Sequence, residues 1–162
     1  MNREILFAVR YKAGGVGLGS PWSNSFAPEL SGAAIVSGDG NGWNNGTYEL
    51  EGQYAPTDMR KAFTMGIWPT ATTALSSSSR RIYPKKHIVP VTLKNDSEID
   101  WIVMRYADVI LMMAEAQGYT QASLNLINQT RSRAGLSATP LTLVSVPTEQ
   151  RFCDSLSKER RL

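Results

Sequence analysis

The residues with the most obvious capacity for chemistry lie in a greasy stretch, MRYADVILMMAEA at 104–116, which carries Arg105, Asp108 and Glu115. Two carboxylates flanking a bond are what glycoside hydrolysis needs. On one helix Asp108 and Glu115 would stand roughly 10.5 Å apart along the axis, near the separation used by inverting enzymes. Against catalysis, both would project from one face of one packed helix rather than from opposite sides of a cleft. At 100° per residue the three charges fall within about an 80° arc, a single polar stripe on an apolar helix. The structural reading is then an ion-pair network, because buried charges are costly unless paired. It predicts that Arg105, Asp108 and Glu115 are buried and paired, with Arg133 as the partner of Glu115 or Asp108.

Other chemistries find less support. Cys153 is the only cysteine and His87 the only histidine, which excludes an intrachain disulfide and a zinc site of several His and Cys ligands. Cys153 lies at helical spacing with Phe152 and Leu156 and reads as a buried thiol. A Cys153–His87 nucleophilic pair has no supporting residue around either member. Asp39-x-Asn41 opens like a calcium loop, but the sixth position is Asn44 instead of Gly and the twelfth is Leu50 instead of Glu. GVGLG at 15–19 lacks the Gly-Lys-Ser/Thr of a phosphate loop and runs into Ser-Pro. No metal and no cofactor is expected.

The loop sequence GDGNGWNNGTY offers recognition chemistry instead. Sugar sites need flat aromatic faces for the apolar side of a pyranose ring, and amides or charged groups for its hydroxyls. Trp43 sits among Asp39, Asn41, Asn44 and Asn45, with Tyr48 following; Trp22 and Trp68 are further candidates. The competing reading is that these tryptophans pack beneath the loops as satellite core. Trp101, at the start of the apolar helix, reads as core.

These residues must be positioned by a chain of 162 residues, of ordinary composition for a globular protein: 42% hydrophobic, 19% charged, net charge +3. The mild charge gives no reason to invoke nucleic acid: the basic clusters Arg80-Arg81 with Lys85-Lys86, and Lys158 with Arg160-Arg161, do not interleave with aromatics. No run approaches the roughly 20 apolar residues that span a bilayer, and MNREILFAVRY does not read as a signal peptide. Both ends read as cut, so the chain is expected to be a piece of a longer protein.

Residues 1–100 are loop-rich. SGDGNGWNNG at 37–46 is turn chemistry, and TATTALSSSS at 70–79 reads as a flexible polar connector. Short strands are expected at 4–12, where Ile5, Phe7, Val9 and Tyr11 alternate, at 33–36 and at 86–93. Residues 101–162 read as three helices: 102–117, 121–134 closed by Gly135 as a left-handed cap, and one from Thr148 onward. The short link between the first two makes an antiparallel hairpin. On the second, Ala122, Leu126, Thr130 and Ala134 with Ile127 form the expected apolar stripe. The first is apolar nearly all round and is expected to be covered on more than one side, as in a stacked, TPR-like array.

The blocks RYADVILMMAEA, LNLINQTRSRAGL and KERRL resemble the C-terminal part of the SusD/RagB family. The match runs through Arg105, Tyr106, Ala107, Asp108, Leu111 and Ala114-Glu115-Ala116; then Asn128, Arg131, Arg133, Ala134, Gly135 and Leu136; then Glu159, Arg160 and Arg161. Upstream, EILFAVRY and YAPTDMRK, with Tyr54, Asp58 and Arg60, are similar to the family's strand and D-x-R region. Two departures are a shorter turn between the first helices and the absence of the N-terminal portion with its lipid-attachment cysteine. For Asp58 and Arg60 a local bridge holding the loop is expected ahead of ligand contact.

The resemblance implies a mainly α fold of TPR-like hairpins with a loop-rich region and short strands, in which 1–100 and 101–162 are parts of one domain. It also implies a surface-exposed outer-membrane lipoprotein of a Bacteroidetes-type bacterium. Such a protein is not an enzyme; it captures glycans, sometimes peptides, over a TonB-dependent transporter of the SusC type, and touches the membrane only through a lipid anchor absent here. The other reading is a TPR-like protein-interaction scaffold without a small ligand.

Overall fold

The computed structural model describes residues 4–69 and 81–162; the polar connector at 70–79 and Arg80 lie outside the described residues. The chain forms two compact units that interleave along the sequence. The helical unit takes the described residues of Met1–Ala8, Tyr54–Arg60 and Ile102–Leu162. The loop unit takes Val9–Gln53 and Lys61–Trp101.

In the helical unit, strand β1 (Ile5–Val9) pairs with strand β4 (Trp101–Arg105), and helices α4 (Tyr106–Ala116), α5 (Gln121–Arg133) and α6 (Glu149–Arg161) follow. The expected helix at 102–117 therefore begins later. Ile102 and Val103 are β-branched, which lowers helix propensity, and β1 supplies a ladder partner. The Tyr106 amide donates to the Glu4 carbonyl at 2.8 Å where strand becomes helix. Leu111, Ala114, Leu124, Ile127, Val146, Phe152 and Leu156 form the core, and the Tyr119 hydroxyl donates to the Val146 carbonyl at 2.6 Å.

Helix boundaries follow local chemistry. Thr120 and Thr148 cap α5 and α6, their hydroxyls accepting from the Ser123 and Arg151 amides. α5 ends in a Schellman motif: the Leu136 amide reaches the Arg131 carbonyl, the Gly135 amide reaches that of Ser132, and Gly135 takes φ +86°. The buried face of α5 is Ser123, Leu124 and Ile127; of the expected stripe Ile127 and Ala134 are buried, Leu126 and Thr130 half-buried and Ala122 exposed, so the face is turned partly away from the expected row. Leu124 and Ile127 are the bulky apolar pair, and they set which face turns inward.

α4 departs furthest from expectation. Arg105, Asp108 and Glu115 are all exposed. The buried residues of α4 are Ile110, Leu111 and Ala114, whose direction is roughly 130° round the helix from the charged stripe. Among the described residues one side of α4 is covered, and the charges stand off that side. Arg133 is exposed as well and pairs with Glu4, its Nη2 lying 2.7 Å from Oε2; Arg105 reaches Glu4 at 3.9 Å, and Glu115 pairs with Arg160 at 2.6 Å. In place of the network expected around these four residues there are surface pairs: Glu4 answers Arg105 and Arg133, Arg160 answers Glu115, and Asp108 makes no ion pair among the described residues. Cys153 is exposed too, because α6 turns Phe152, Leu156 and Glu159 inward.

The buried ion cluster of this unit lies elsewhere. Arg60 grips Asp58 by two bonds, Nε to Oδ1 at 2.9 Å and Nη2 to Oδ2 at 2.7 Å, and reaches Glu159 Oε2 with Nη1 at 2.8 Å. Arg131 Nη1 meets the other Glu159 oxygen at 3.0 Å. Burial raises the Asp58 carboxyl's pKa, but bonds from the Arg60 side chain and amide outweigh it and hold the pKa below the usual carboxylate value.

In the loop unit, the region expected to be a strand at 33–36 is a 3-10 turn over Gly32–Ala34, because Gly32 takes φ +54° and breaks extension. The strand expected at 86–93 lies upstream, as β3 (Arg81–Pro84), and Lys85–His87 form a second 3-10 turn. β3 pairs antiparallel with β2 (Met65–Trp68), placing Gly66 opposite Tyr83 and Trp68 opposite Arg81. Short helices α1 (Trp22–Phe26), α2 (Tyr48–Gln53) and α3 (Arg60–Thr64) punctuate the loops.

Candidate functional site

α1 buries small polar side chains: Ser23, Asn24 and Ser25 are at most 1% exposed. A loop-rich unit has few ladder bonds, so its buried backbone groups must find partners among side chains. Ser23 Oγ donates to the His87 carbonyl at 3.0 Å and accepts from the Val89 amide. Asn24 donates to the Ser37 and Asp39 carbonyls at 2.9 and 2.8 Å and accepts from the Asn95 amide at 2.8 Å.

The segment SGDGNGW is thereby moored to α1 and its continuation. The Asn41, Gly42 and Trp43 amides donate in turn to the carbonyls of Asn24, Ala27 and Ser25, each at 2.8 Å. The Asp39 carboxylate accepts from the Gly40 and Gly32 amides at 2.8 Å each, and those bonds lower its pKa. Gly40 runs so close to Ala27 that a Cβ there would lie 2.2 Å from the Ala27 carbonyl oxygen. What reads in sequence as pure turn chemistry is a loop with fixed main-chain geometry.

That geometry leaves Trp43 57% exposed, with Asn41, Asn44 and Asn45 exposed around it in sequence. Tyr48 opens α2 and is also exposed; Trp68 is half-buried in β2. Trp22 is committed to packing: its ring stacks on Phe26 at 5.7 Å and meets Trp101 at 4.6 Å, and its indole nitrogen is buried. Trp101 also stacks on His87 at 5.1 Å. Burial, then the charge of Lys86, pushes His87 down to about 4. A base whose folded pKa lies below its unfolded value near 6.5 withdraws stability as pH falls from 6.5 toward 4. We expect His87→Phe to flatten the decline in thermal stability over that range; an unchanged slope would show that carboxylates alone cause it.

Sequence reading missed three residues that shape this neighbourhood. Asn24 carries no periodic signal, and Glu29 and Arg81 lie far apart in the chain. The structure brings the latter together, Arg81 Nη1 lying 3.2 Å from Glu29 Oε2. Glu29 bridges Gly40 in parallel register, and a Cβ on Gly42 would lie 3.3 Å from the Glu29 Cβ. The Gly46 amide bonds the Ile82 carbonyl at 2.8 Å, one residue after Arg81. The Trp43 loop, the Glu29–Arg81 pair and Trp68 therefore form one neighbourhood of the loop unit.

A cleft of about 800 Å³ lies elsewhere in this unit, lined by Gly14, Val89, Leu93, Asp96, Glu98 and Ile99 among others. It has no aromatic wall, and its Asp96 carboxylate is engaged by the Gly14 and Gly15 amides at 2.8 and 2.9 Å. The Trp43 neighbourhood, by contrast, holds exposed aromatic surface on a main chain fixed by hydrogen bonds. Among the described residues no group of three or more His, Cys, Asp or Glu could hold a metal ion, and no helix is long and apolar enough to cross a membrane.

No curated protein matches the chain. Solved structures do. A SusD superfamily protein from Parabacteroides distasonis shares 26% identity with a TM-score of 0.68, over 97% of this chain and 36% of that one. Surface glycan-binding protein A from Bacteroides thetaiotaomicron, in complex with laminarihexaose, shares 17% identity at a TM-score of 0.68, over 96% and 39%. A laminarin-binding SusD-like protein shares 22% at 0.65, over 98% and 40%. The last two, below 25% identity, show the shared fold alone, and this chain spans well under half the length of each. The SusD family model matches residues 33–162, which include the Trp43 loop, the α4 and α5 motifs and the Glu159-Arg160-Arg161 block. The chain belongs to the SusD family.

Proposed function

We propose that this chain is the ligand-capturing portion of a non-catalytic protein at the outer-membrane surface, which takes up glycan and delivers it to a TonB-dependent transporter of the SusC type. The observation that carries the reading is Trp43: a large aromatic left exposed by a loop whose main chain is held by hydrogen bonds at Asn41, Gly42 and Trp43. An ordered aromatic face binds a pyranose without first giving up loop entropy. Asn41, Asn44, Tyr48 and Trp68 bring amide, hydroxyl and further aromatic groups to the same unit. The glycan-binding relatives with this fold, one holding laminarihexaose, point the same way.

The non-catalytic part of the proposal rests on placement. Asp108 and Glu115 project from one exposed flank of α4, and Glu115 is engaged by Arg160, so no opposed carboxylates flank a cleft there. Trp43→Ala is expected to weaken binding of the best ligand from a glycan panel by about tenfold or more, with the circular dichroism spectrum unchanged, since about 1.4 kcal/mol of stacking and burial suffices for that factor. Titration calorimetry or affinity electrophoresis reads the result. Equal binding by the variant would remove Trp43 from the site, and turnover of any glycan would overturn the non-catalytic assignment.

A scaffold role has one observation in its favour. Tyr106, Met112 and Met113 on α4 and Phe7 on β1 are exposed apolar residues of the helical unit. A protein that binds no glycan on the panel would leave that reading in place.

A further inference from the structure

Resting on the glycan reading of the Trp43 loop, we propose that the Glu29–Arg81 pair selects the charge class of the ligand, admitting uncharged glycans and rejecting acidic ones, with Glu29 as the discriminating residue. The pair belongs to the same neighbourhood as Trp43. Glu29 abuts Gly42, the residue before Trp43, and Arg81 stands across the ladder from Trp68. Both are set on ordered backbone, Glu29 by its bridge to Gly40 and Arg81 by the β2–β3 register.

Neither is a buried structural ion: the Glu29 side chain is 59% exposed and that of Arg81 39%. Each therefore keeps hydrogen-bonding capacity toward solvent or ligand. An unopposed guanidinium is a planar donor fork matched to carboxylate or sulfate, and by itself would favour uronic acids or sulfated sugars. Here Glu29 occupies one edge of that fork at 3.2 Å and cancels its charge. What remains is an acceptor beside a donor, which suits hydroxyls that both give and accept. A carboxylate on the ligand would face Glu29 as a like charge. Specificity of this kind comes from the repulsive element as much as from the attractive one.

The test measures affinity of the full chain, at low ionic strength, for uncharged probes (laminarin, starch, xylan) and acidic probes (polygalacturonate, alginate). Wild-type protein is expected to bind an uncharged probe in preference to either acidic one. Glu29→Gln keeps size and hydrogen bonding but frees the Arg81 charge. It should shift the ratio of affinities toward the acidic probes by about tenfold, an effect that shrinks in high salt as screening grows. Because Glu29 is exposed, the variant keeps its circular dichroism spectrum and its tryptophan fluorescence, to which all four tryptophans contribute. An unchanged ratio in Glu29→Gln, while Trp43→Ala still loses binding, overturns the role of the pair and leaves glycan capture standing. A wild-type preference for polygalacturonate or alginate does the same. Failure to bind any probe removes the glycan reading itself and this inference with it.

Discussion

Glu159→Ala is expected to cost the helical unit roughly 3–5 kcal/mol, the range for leaving buried charges without their partner. The Glu159 side chain is 2% exposed and receives two guanidinium groups, from Arg60 and Arg131. Without it, two arginines remain against Asp58 alone. Marginal stability of about 5–15 kcal/mol makes such a loss a large fraction of the total. The comparison variant is Glu115→Ala, which removes an exposed carboxylate from Arg160 and is expected to cost under about 1 kcal/mol. Urea denaturation of both variants measures the difference. Similar midpoints for the two would mean that the Asp58–Arg60–Glu159–Arg131 cluster does not hold the unit together. The cluster also predicts acid sensitivity. Asp58 titrates below its unfolded value, so its contribution is complete above about pH 4 and is lost as pH falls through the lower, folded pKa.

Asn24→Asp carries the largest expected effect in the loop unit. The side chain is fully buried, donates two bonds to carbonyl oxygens and accepts one. A carboxylate cannot donate, and it would face the Ser37 and Asp39 carbonyl oxygens as an unpaired buried charge. The loss is expected to be roughly 3–5 kcal/mol, from orphaned carbonyls and charge burial together. Amide hydrogen exchange gives the local readout. Protection at Asn41, Gly42 and Trp43 should fall together, because these amides lie on the segment that Asn24 moors through the Ser37 and Asp39 carbonyls. Unchanged protection there would show that the loop holds its shape without Asn24. Glycan affinity should fall with protection even though Asn24 touches no solvent.

Legibility in the sequence followed the physics of each part. α5 and α6 were readable because end signals are local: Gly135 and Thr148 act on residues within one turn. The family motif was readable for the same reason, as fixed spacings on helices. The β1–β4 ladder was not, since a strand at 101–105 depends on a partner about a hundred residues away. The charges of α4 were misplaced because all-round apolarity does not say which flank is covered. The expected Asp58–Arg60 bridge is present, but its extension to Glu159 and Arg131 needed tertiary contacts. In the candidate site, Trp43 was legible as an aromatic in turn chemistry. Asn24, Glu29 and Arg81 were not, because a buried asparagine and a long-range surface pair leave no periodic trace.

The mooring of the 37–43 loop has a consequence for how such a protein changes. Its ties run almost wholly between main-chain atoms and groups outside the tip: Asn24 holds carbonyls, and the Asn41, Gly42 and Trp43 amides find carbonyls on the segment beginning with α1. Among the described residues the side chains at 41, 43 and 45 make none of these mooring hydrogen bonds. Backbone demand narrows the replacements elsewhere in the loop, at Asn44 with φ +55°, at Asp39 with φ +67° and at Gly38 and Gly42. The molecule thus separates the grammar of the loop from its vocabulary. On the proposed reading, new recognition chemistry can be written at those three positions by substitution with the mooring bonds left in place.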